Sequence, residues 1–171
     1  GITAGEGGAL VGDDEELMSR ARRLHTYGIA PALSREGNTD LAIPEFSELG
    51  YNYRLSEVQA AIMRVQLGRL DRLVAARTYS AEFYNRELTG IEGISLPSVA
   101  PGRTHSWQSY LIDVHAPLDR NKLAGNLRTL GVGCNFGTYA SHLQPVYGSK
   151  QDCTVSRSLF GRHLAIPMHA N

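Results

Sequence analysis

Lysine is almost absent from this chain of 171 residues: of its seventeen basic side chains, only two, Lys122 and Lys150, are lysines. Chemistry that requires a lysine amine therefore has two candidates within the sequence. Cysteine is equally scarce, and Cys134 and Cys153 are too few for a disulfide framework, which favours a protein of the reducing cytoplasm. No CxxC pair occurs and no histidine pair has HExxH spacing, so we expect no metal site.

An excess of charge of one sign is missing as well, and so are long apolar runs. Seventeen basic residues balance seventeen acidic ones, so the chain lacks the positive excess on which nucleic-acid and membrane-surface proteins depend. No apolar run approaches the ~20 residues that cross a bilayer. The composition that is present, 42% hydrophobic and 20% charged, is typical of globular proteins with a sizeable core.

The first part of the chain combines a short apolar run, a helical pattern and a long aperiodic stretch. Residues 7–11, Gly-Gly-Ala-Leu-Val, have the composition of a buried strand. Asp13 or Asp14 then caps a helix. Its apolar side chains recur at i, i+4 and i+7: Leu17, Ala21 and Leu24. Residues 29–50 have no period, which predicts a long loop that is functional or mobile.

A second helical pattern begins at Ser56 and continues to Gly90. Ser56 and Gln59 have the spacing of a capping box. One continuous helix over 56–90 would be roughly 50 Å long, which exceeds an ordinary globular helix. Gly68 lies within it, so the pattern predicts either a helix that bridges two domains or two helices in sequence. Sustained heptads are absent, which makes a coiled coil the weaker alternative.

From residue 91 onward, short strand patterns alternate with helical ones. Strands are predicted near 94–96, 107–114, 133–139 and 164–167, and helices after the Asp119 cap and near 155–163. This alternation is typical of a small α/β unit. The sequence therefore predicts an α/β fold in three parts: 1–55, 56–90 and 91–171.

Two segments have the composition of a ligand site. Residues 5–8, Gly-Glu-Gly-Gly, lack the third glycine of a dinucleotide fingerprint and the lysine of a P-loop, so a tight turn is the better interpretation. Residues 51–54, Tyr-Asn-Tyr-Arg, precede a helix N-terminus, where free backbone N–H groups attract anions. An anion site and a helix-entry turn with packed tyrosines explain this second pattern equally well.

Three segments also resemble one known family. They read Gly-Ile-Thr-Ala-Gly-Glu-Gly-Gly-Ala at 1–9, Leu-Gly-Tyr-Asn-Tyr-Arg-Leu-Ser-Glu-Val-Gln-Ala-Ala at 49–61, and His-Leu-Gln-Pro at 142–145. The family is DegT/DnrJ/EryC1/StrS, pyridoxal-phosphate-dependent sugar aminotransferases of fold type I. The resemblance covers nearly the whole chain. It implies a homodimer that transfers an amino group from glutamate or glutamine to a nucleotide-linked keto sugar. The balanced charge and the short apolar runs predict no nucleic-acid or membrane partner.

The resemblance implies that this chain is the C-terminal portion of such an enzyme. In the family the cofactor lysine immediately precedes the Ile-Thr segment, which would be one residue before Gly1. Residues 1–55 would then be a remnant of the large cofactor domain, including the loop, 56–90 the linking helix and 91–171 the small domain. With no catalytic residue of its own, the chain alone is expected to be inactive.

The resemblance also gives roles to three residues. Asn52 matches an asparagine that reaches across the dimer to the cofactor phosphate of the neighbouring subunit. His142 matches a histidine toward the substrate side, with Tyr139 near it. The alternatives are a non-catalytic binding or regulatory module that reuses the small domain, and a plain interaction domain without a ligand.

Overall fold

The computed structural model describes residues 2–29, 45–148 and 151–170. The chain divides into two compact units, Ile2–Gly68 and Arg69–Asn171. The helices are α1 (Glu15–His25), α2 (Glu57–Leu67), α3 (Leu70–Leu88), α4 (Arg120–Thr129) and α5 (Thr154–Arg162), and the strands are β1 (Ile94–Ser95), β2 (Tyr110–Val114), β3 (Asn135–Phe136) and β4 (His163–Ile166). Within the described ranges, none of the helices combines the length and the apolar character needed to cross a membrane.

Both helices of the first unit begin where the sequence predicts. The Asp14 carboxylate accepts the backbone N–H of Leu17 at 2.9 Å and caps α1. At the start of α2, the Ser56 hydroxyl accepts the N–H of Gln59, and Gln59 Oε1 accepts the N–H of Ser56, each at 3.3 Å. These side chains provide acceptors for N–H groups that have no partner in the first helical turn. The predicted capping box is therefore confirmed.

The buried strand predicted at 7–11 does not form. The segment has no regular secondary structure, and Val11 is 88% exposed. A strand needs a neighbour for its backbone hydrogen bonds, and among the described residues no segment pairs with this one. The apolar face of α1 is only partly covered, since Leu17 is 53% exposed while Ala21 and Leu24 are half-buried.

The helical pattern over 56–90 is two helices in sequence. Helix α2 ends at Leu67 and α3 begins at Leu70. Gly68 and Arg69 lie between them, and glycine is the weaker helix former of the two. Of the two predicted alternatives, a bridging helix or two helices in sequence, the second is therefore the one that forms. The assignment of 56–90 as one linking segment of a larger enzyme stays a prediction.

The second unit is built on a four-stranded antiparallel sheet in the order β1-β2-β4-β3. In the central pair, Ile112 lies opposite Leu164 and Tyr110 opposite Ile166. Alternate residues of β2 are buried, as the period of two predicts. The core cluster comprises Ala81, Trp107, Tyr110, Ile112, Val114, Ala124 and Leu164. The α/β expectation is thus confirmed for this unit, with antiparallel pairing throughout.

The strand predicted over 107–114 begins three residues late, at Tyr110. Trp107 has a φ of +49°, which is left-handed backbone and incompatible with a strand. The Trp107 N–H donates to His105 Nδ1 at 2.9 Å, and the two rings lie 4.4 Å apart. The indole is buried in the core cluster. Burial of tryptophan, rather than pairing of its backbone, therefore sets the conformation here.

Candidate functional site

Residues 51–54 are fixed against the end of α1 by backbone hydrogen bonds. The Tyr51 N–H donates to the Leu24 carbonyl at 2.7 Å, and the Tyr53 N–H donates to the His25 carbonyl at 2.9 Å. Asn52, between them, forms an isolated antiparallel bridge with Thr26. The tetrapeptide is therefore an ordered platform that leads into α2.

Two glycines allow the chain to pass this closely. A Cβ on Gly28 would lie 1.8 Å from the Glu48 carbonyl oxygen, and a Cβ on Gly50 would lie 2.0 Å from the Gly28 nitrogen. Gly28 also has a φ of +77°, in the left-handed region. The entry to residues 51–54 therefore depends on the absence of side chains at both positions.

An ion pair also fixes Glu48, in the segment that leads into residues 51–54. Arg23 Nε donates to Glu48 Oε1 at 2.8 Å, and both side chains are half-buried. Arg20 Nε lies 3.5 Å from the other carboxylate oxygen. The hydrogen bond from Arg23 lowers the pKa of the Glu48 carboxyl below its ordinary value, and the charges of the two arginines act in the same direction.

We expect residues 45–54 to lose protection in acid. Because the pKa of Glu48 is lower in the folded chain than in the unfolded one, its ion pair stabilises the fold above the ordinary pKa of 4.5, and this contribution is lost as the pH falls below that value. The protection factors of the Tyr51 and Tyr53 amides, measured by hydrogen exchange, should be lower at about pH 3 than at about pH 6. This decrease should be smaller in the Glu48→Gln variant. Equal falls in both chains would contradict the role of Glu48.

One guanidinium, that of Arg54, connects the side chains of Asn52 and Tyr27 at the platform. Arg54 Nε donates to Asn52 Oδ1 at 3.1 Å, and Arg54 Nη2 donates to the Tyr27 hydroxyl at 2.7 Å. The guanidinium carbon also lies 4.8 Å from the centre of the Tyr27 ring. Asn52 is exposed, and within the described part of the chain its Nδ2 has no hydrogen-bond partner. The platform therefore presents an amide N–H₂ group and a cation to solvent.

The glycine-rich segment, residues 5–8, lies beside this platform. Gln59 Nε2 donates to the Glu6 carbonyl at 2.8 Å, so the side chain that completes the capping box also holds the segment. Gly5 and Gly7 have φ values of +88° and +145°, which agrees with the predicted tight turn. A cleft of about 430 Å³ separates the two segments, lined by Glu6, Gly7, Gly8, Tyr53, Arg54, Leu55 and Gln59.

The two predicted substrate-side residues belong to the second unit. His142 lies in a 3₁₀ turn, Ser141–Leu143, and is half-buried. Its Nε2 is buried and has no hydrogen-bond partner among the described residues. Tyr139 is 63% exposed, and its ring packs edge-on against Phe136 at 6.0 Å. Their role toward a substrate stays a prediction.

One of the two lysines, Lys122, lies within the described residues. Lys122 is exposed on α4, where its backbone N–H donates to the Asp119 cap at 2.8 Å. Lys150 lies outside the described residues. Over the described ranges, no group of three or more His, Cys, Asp and Glu side chains could hold a metal ion.

Sequence reasoning missed Tyr27 as part of the site. It lies 27 residues before Arg54 and has no motif of its own. Residues 24–28 predict only a helix end, and the contact with Arg54 depends on the close approach of two distant segments. The second role of Gln59, toward Glu6, was missed for the same reason.

Comparisons with known proteins agree with the resemblance found from the motifs. The family described as DegT/DnrJ/EryC1/StrS aminotransferase matches residues 1–171. The uncharacterized protein MJ1066 of Methanocaldococcus jannaschii is 28% identical over 177 aligned residues, covering 98% of this chain and 46% of that protein.

Two solved structures extend the comparison. The sugar aminotransferase CalS13 from Micromonospora echinospora has a TM-score of 0.84 and 26% identity, covering 99% of this chain and 44% of its own. The aminotransferase TlmJ from Streptoalloteichus hindustanus has a TM-score of 0.77 and 29% identity, covering 92% and 40%. This chain spans less than half the length of these relatives. Because the family match extends over all its residues, the chain belongs to the DegT/DnrJ/EryC1/StrS aminotransferase family.

Proposed function

We propose that this chain is the C-terminal portion of a fold type I, pyridoxal-phosphate-dependent aminotransferase that moves an amino group from glutamate or glutamine to a nucleotide-linked keto sugar. The observation that carries the proposal is the Asn52–Arg54 platform at the start of α2, within a chain that matches an aminotransferase family over its whole length. The likeness to CalS13, a sugar aminotransferase, supports a sugar as the acceptor.

The residues present fit the phosphate group of that cofactor. A phosphate ester offers only acceptor oxygens and negative charge. Asn52 Nδ2 offers a donor, and the N-terminus of α2, whose dipole attracts negative charge, follows at Glu57. Asn52 would hold the phosphate, and the bound cofactor would supply the electron sink on which amino transfer depends.

We assign the phosphate that Asn52 holds to the neighbouring subunit of a homodimer. Exposure of Asn52 in this chain supports the assignment, because an exposed amide is free to contact a group carried by a second copy. On the substrate side, we propose roles for His142 and Tyr139. A sugar hydroxyl could contact His142 Nε2, which has no partner among the described residues. It could also contact the hydroxyl of the exposed Tyr139 side chain.

Asn52→Ala in the longer enzyme should weaken binding of pyridoxal phosphate by about ten- to a hundredfold. The substitution removes one hydrogen bond to a charged group, which contributes of order 1.5–3 kcal/mol. The dissociation constant is measured by titrating cofactor into the apoenzyme. Asn121→Ala, at an exposed asparagine on α4, is the matched control and should leave the constant unchanged.

The same variant tests the cross-subunit assignment. An Asn52→Ala chain, mixed with a chain that lacks the cofactor lysine, should form heterodimers in which one of the two sites has both residues. At a cofactor concentration that loads the native site but not the Asn52→Ala site, we expect these heterodimers to recover part of the activity that each parent homodimer lacks. Heterodimers that form and yet recover nothing would contradict the assignment of Asn52 to the neighbouring site.

A further inference from the structure

We propose that Arg54 is a positioning residue, whose guanidinium fixes the Asn52 amide with its nitrogen turned outward toward an anion, and that Tyr27 holds Arg54 in place. The proposal rests on the proposed function and deepens it, because it names what orients the phosphate-binding asparagine. It assigns to Tyr27, at the end of α1, a part in cofactor retention without contact with the cofactor.

The direction of the Asn52 amide follows from the chemistry of arginine. A guanidinium has five N–H donors and no acceptor, so the bond from Arg54 Nε can end only on the amide oxygen. An amide can rotate by half a turn with almost no change of shape, which exchanges its oxygen for its nitrogen. With Oδ1 held by Arg54, Nδ2 faces away from the guanidinium. In the opposite orientation, Asn52 would present an acceptor to a phosphate and repel it.

Tyr27 fixes the guanidinium by two contacts of different kinds. Its hydroxyl accepts from Arg54 Nη2 at 2.7 Å, and its ring lies 4.8 Å beneath the guanidinium carbon. Tyr27 has a φ of +60°, and its N–H donates to the Tyr51 carbonyl at 2.9 Å, so its own backbone is held by the platform. The order of contacts therefore runs from the end of α1 through Tyr27 and Arg54 to Asn52.

Two nitrogens of Arg54 donate hydrogen bonds within the platform, and those two donors are therefore not directed at a ligand. Nε and Nη2 are both engaged inside the platform. A bidentate phosphate contact through the Nε and Nη2 side of the guanidinium would need the donors that are already bonded to Asn52 and Tyr27. Three N–H groups, on Nη1 and Nη2, are left, so the test below separates action through Asn52 from direct binding of the phosphate.

A double-mutant cycle in the longer holoenzyme separates the two roles. Arg54→Gln should raise the dissociation constant of pyridoxal phosphate about two- to tenfold, because the apparent constant rises as the fraction of correctly oriented Asn52 falls. In an Asn52→Ala background, the same Arg54→Gln substitution should have no further effect. Losses that multiply in the double variant would show that Arg54 binds the phosphate directly and would overturn the proposal.

Tyr27→Phe provides a variant that keeps the ring and removes only the hydroxyl acceptor. It should weaken cofactor binding by a smaller factor than Arg54→Gln, and again only while Asn52 is present. Thermal unfolding of each apoenzyme controls for damage to the fold. A Tyr27→Phe effect that persists in Asn52→Ala would indicate a general loss of structure and would count against positioning.

A cofactor-free readout uses the 171-residue chain itself. The Arg54 Nε–H resonance should exchange slowly with solvent and should exchange faster in both Asn52→Ala and Tyr27→Phe. Fast exchange in the native chain would overturn the proposal. If instead Asn52→Ala leaves cofactor affinity unchanged in the longer enzyme while Nε–H exchange is slow, the phosphate assignment fails although the contacts exist. Failure of the proposed function is thereby distinguished from failure of the positioning network.

Discussion

The 171-residue chain on its own should transfer no amino group from glutamate to a keto sugar. A lysine binds pyridoxal phosphate through its uncharged amine, and enzymes favour that form by removing the lysine from water or placing it near other charges. Lys122 is exposed to water on α4. Lys150 lies outside the described residues, and its sequence neighbours Gly148 and Ser149 predict a loop. Without an amine that links the cofactor and moves protons during the exchange, we expect turnover below the detection limit.

The measurement is chemical labelling together with an activity assay. The chain is incubated with pyridoxal phosphate, reduced with borohydride and mapped by mass spectrometry. We expect weak labelling of Lys122 and Lys150 without selectivity, and Lys122→Arg and Lys150→Arg serve as controls for the assignment of each labelled peptide. Stoichiometric labelling of one lysine, accompanied by amino transfer, would contradict the proposal that the cofactor lysine precedes Gly1.

Leu164→Ala should destabilise the second unit by about 2–5 kcal/mol, which is a large share of the 5–15 kcal/mol by which a typical domain is stable. Leu164 is only 2% exposed and lies opposite Ile112 in the central strand pair. Truncation to alanine removes the apolar contacts that the Leu164 side chain makes with its neighbours. It also leaves a cavity, because the sheet holds the surrounding residues in place. The effect therefore exceeds that of any surface substitution.

Urea unfolding followed by tryptophan fluorescence tests this expectation. Trp107 is the single tryptophan of the chain and lies in the same core cluster, so its emission reports on this unit. Leu130→Ala is the matched control, since Leu130 is 79% exposed, and it should change the free energy of unfolding by no more than about 0.5 kcal/mol. Comparable losses in the two variants would contradict the central place of Leu164 in the core.

Features of the fold that depend on residues close together in the sequence were predictable. The starts of α1, α2 and α4 follow from Asp14, from Ser56 with Gln59, and from Asp119, because each cap bonds an N–H three residues away. The strand at 7–11 was wrong because a strand also depends on a partner segment, which an apolar run does not identify.

The site was predictable in part, for the same physical reason. Residues 51–54 attract notice as a compact polar and aromatic group before a helix, and resemblance singles out Asn52. The network that orients Asn52 was not predictable, because Tyr27 meets Arg54 only after two distant segments cross. The positive φ of Trp107 was equally hidden, since nothing in an alternating pattern signals a left-handed residue.

The crossing of Gly28 and Gly50 has a consequence for how this sequence can drift during evolution. A side chain at either position would collide with backbone atoms, namely the Glu48 oxygen in one case and the Gly28 nitrogen in the other. Backbone atoms are the same whatever residue carries them, so no second substitution can relieve the first. The two glycines touch each other and yet neither constrains the identity of the other. A pair of this kind leaves no covariation among related sequences, and a contact search based on covariation would overlook the very crossing that brings Tyr27 to Arg54.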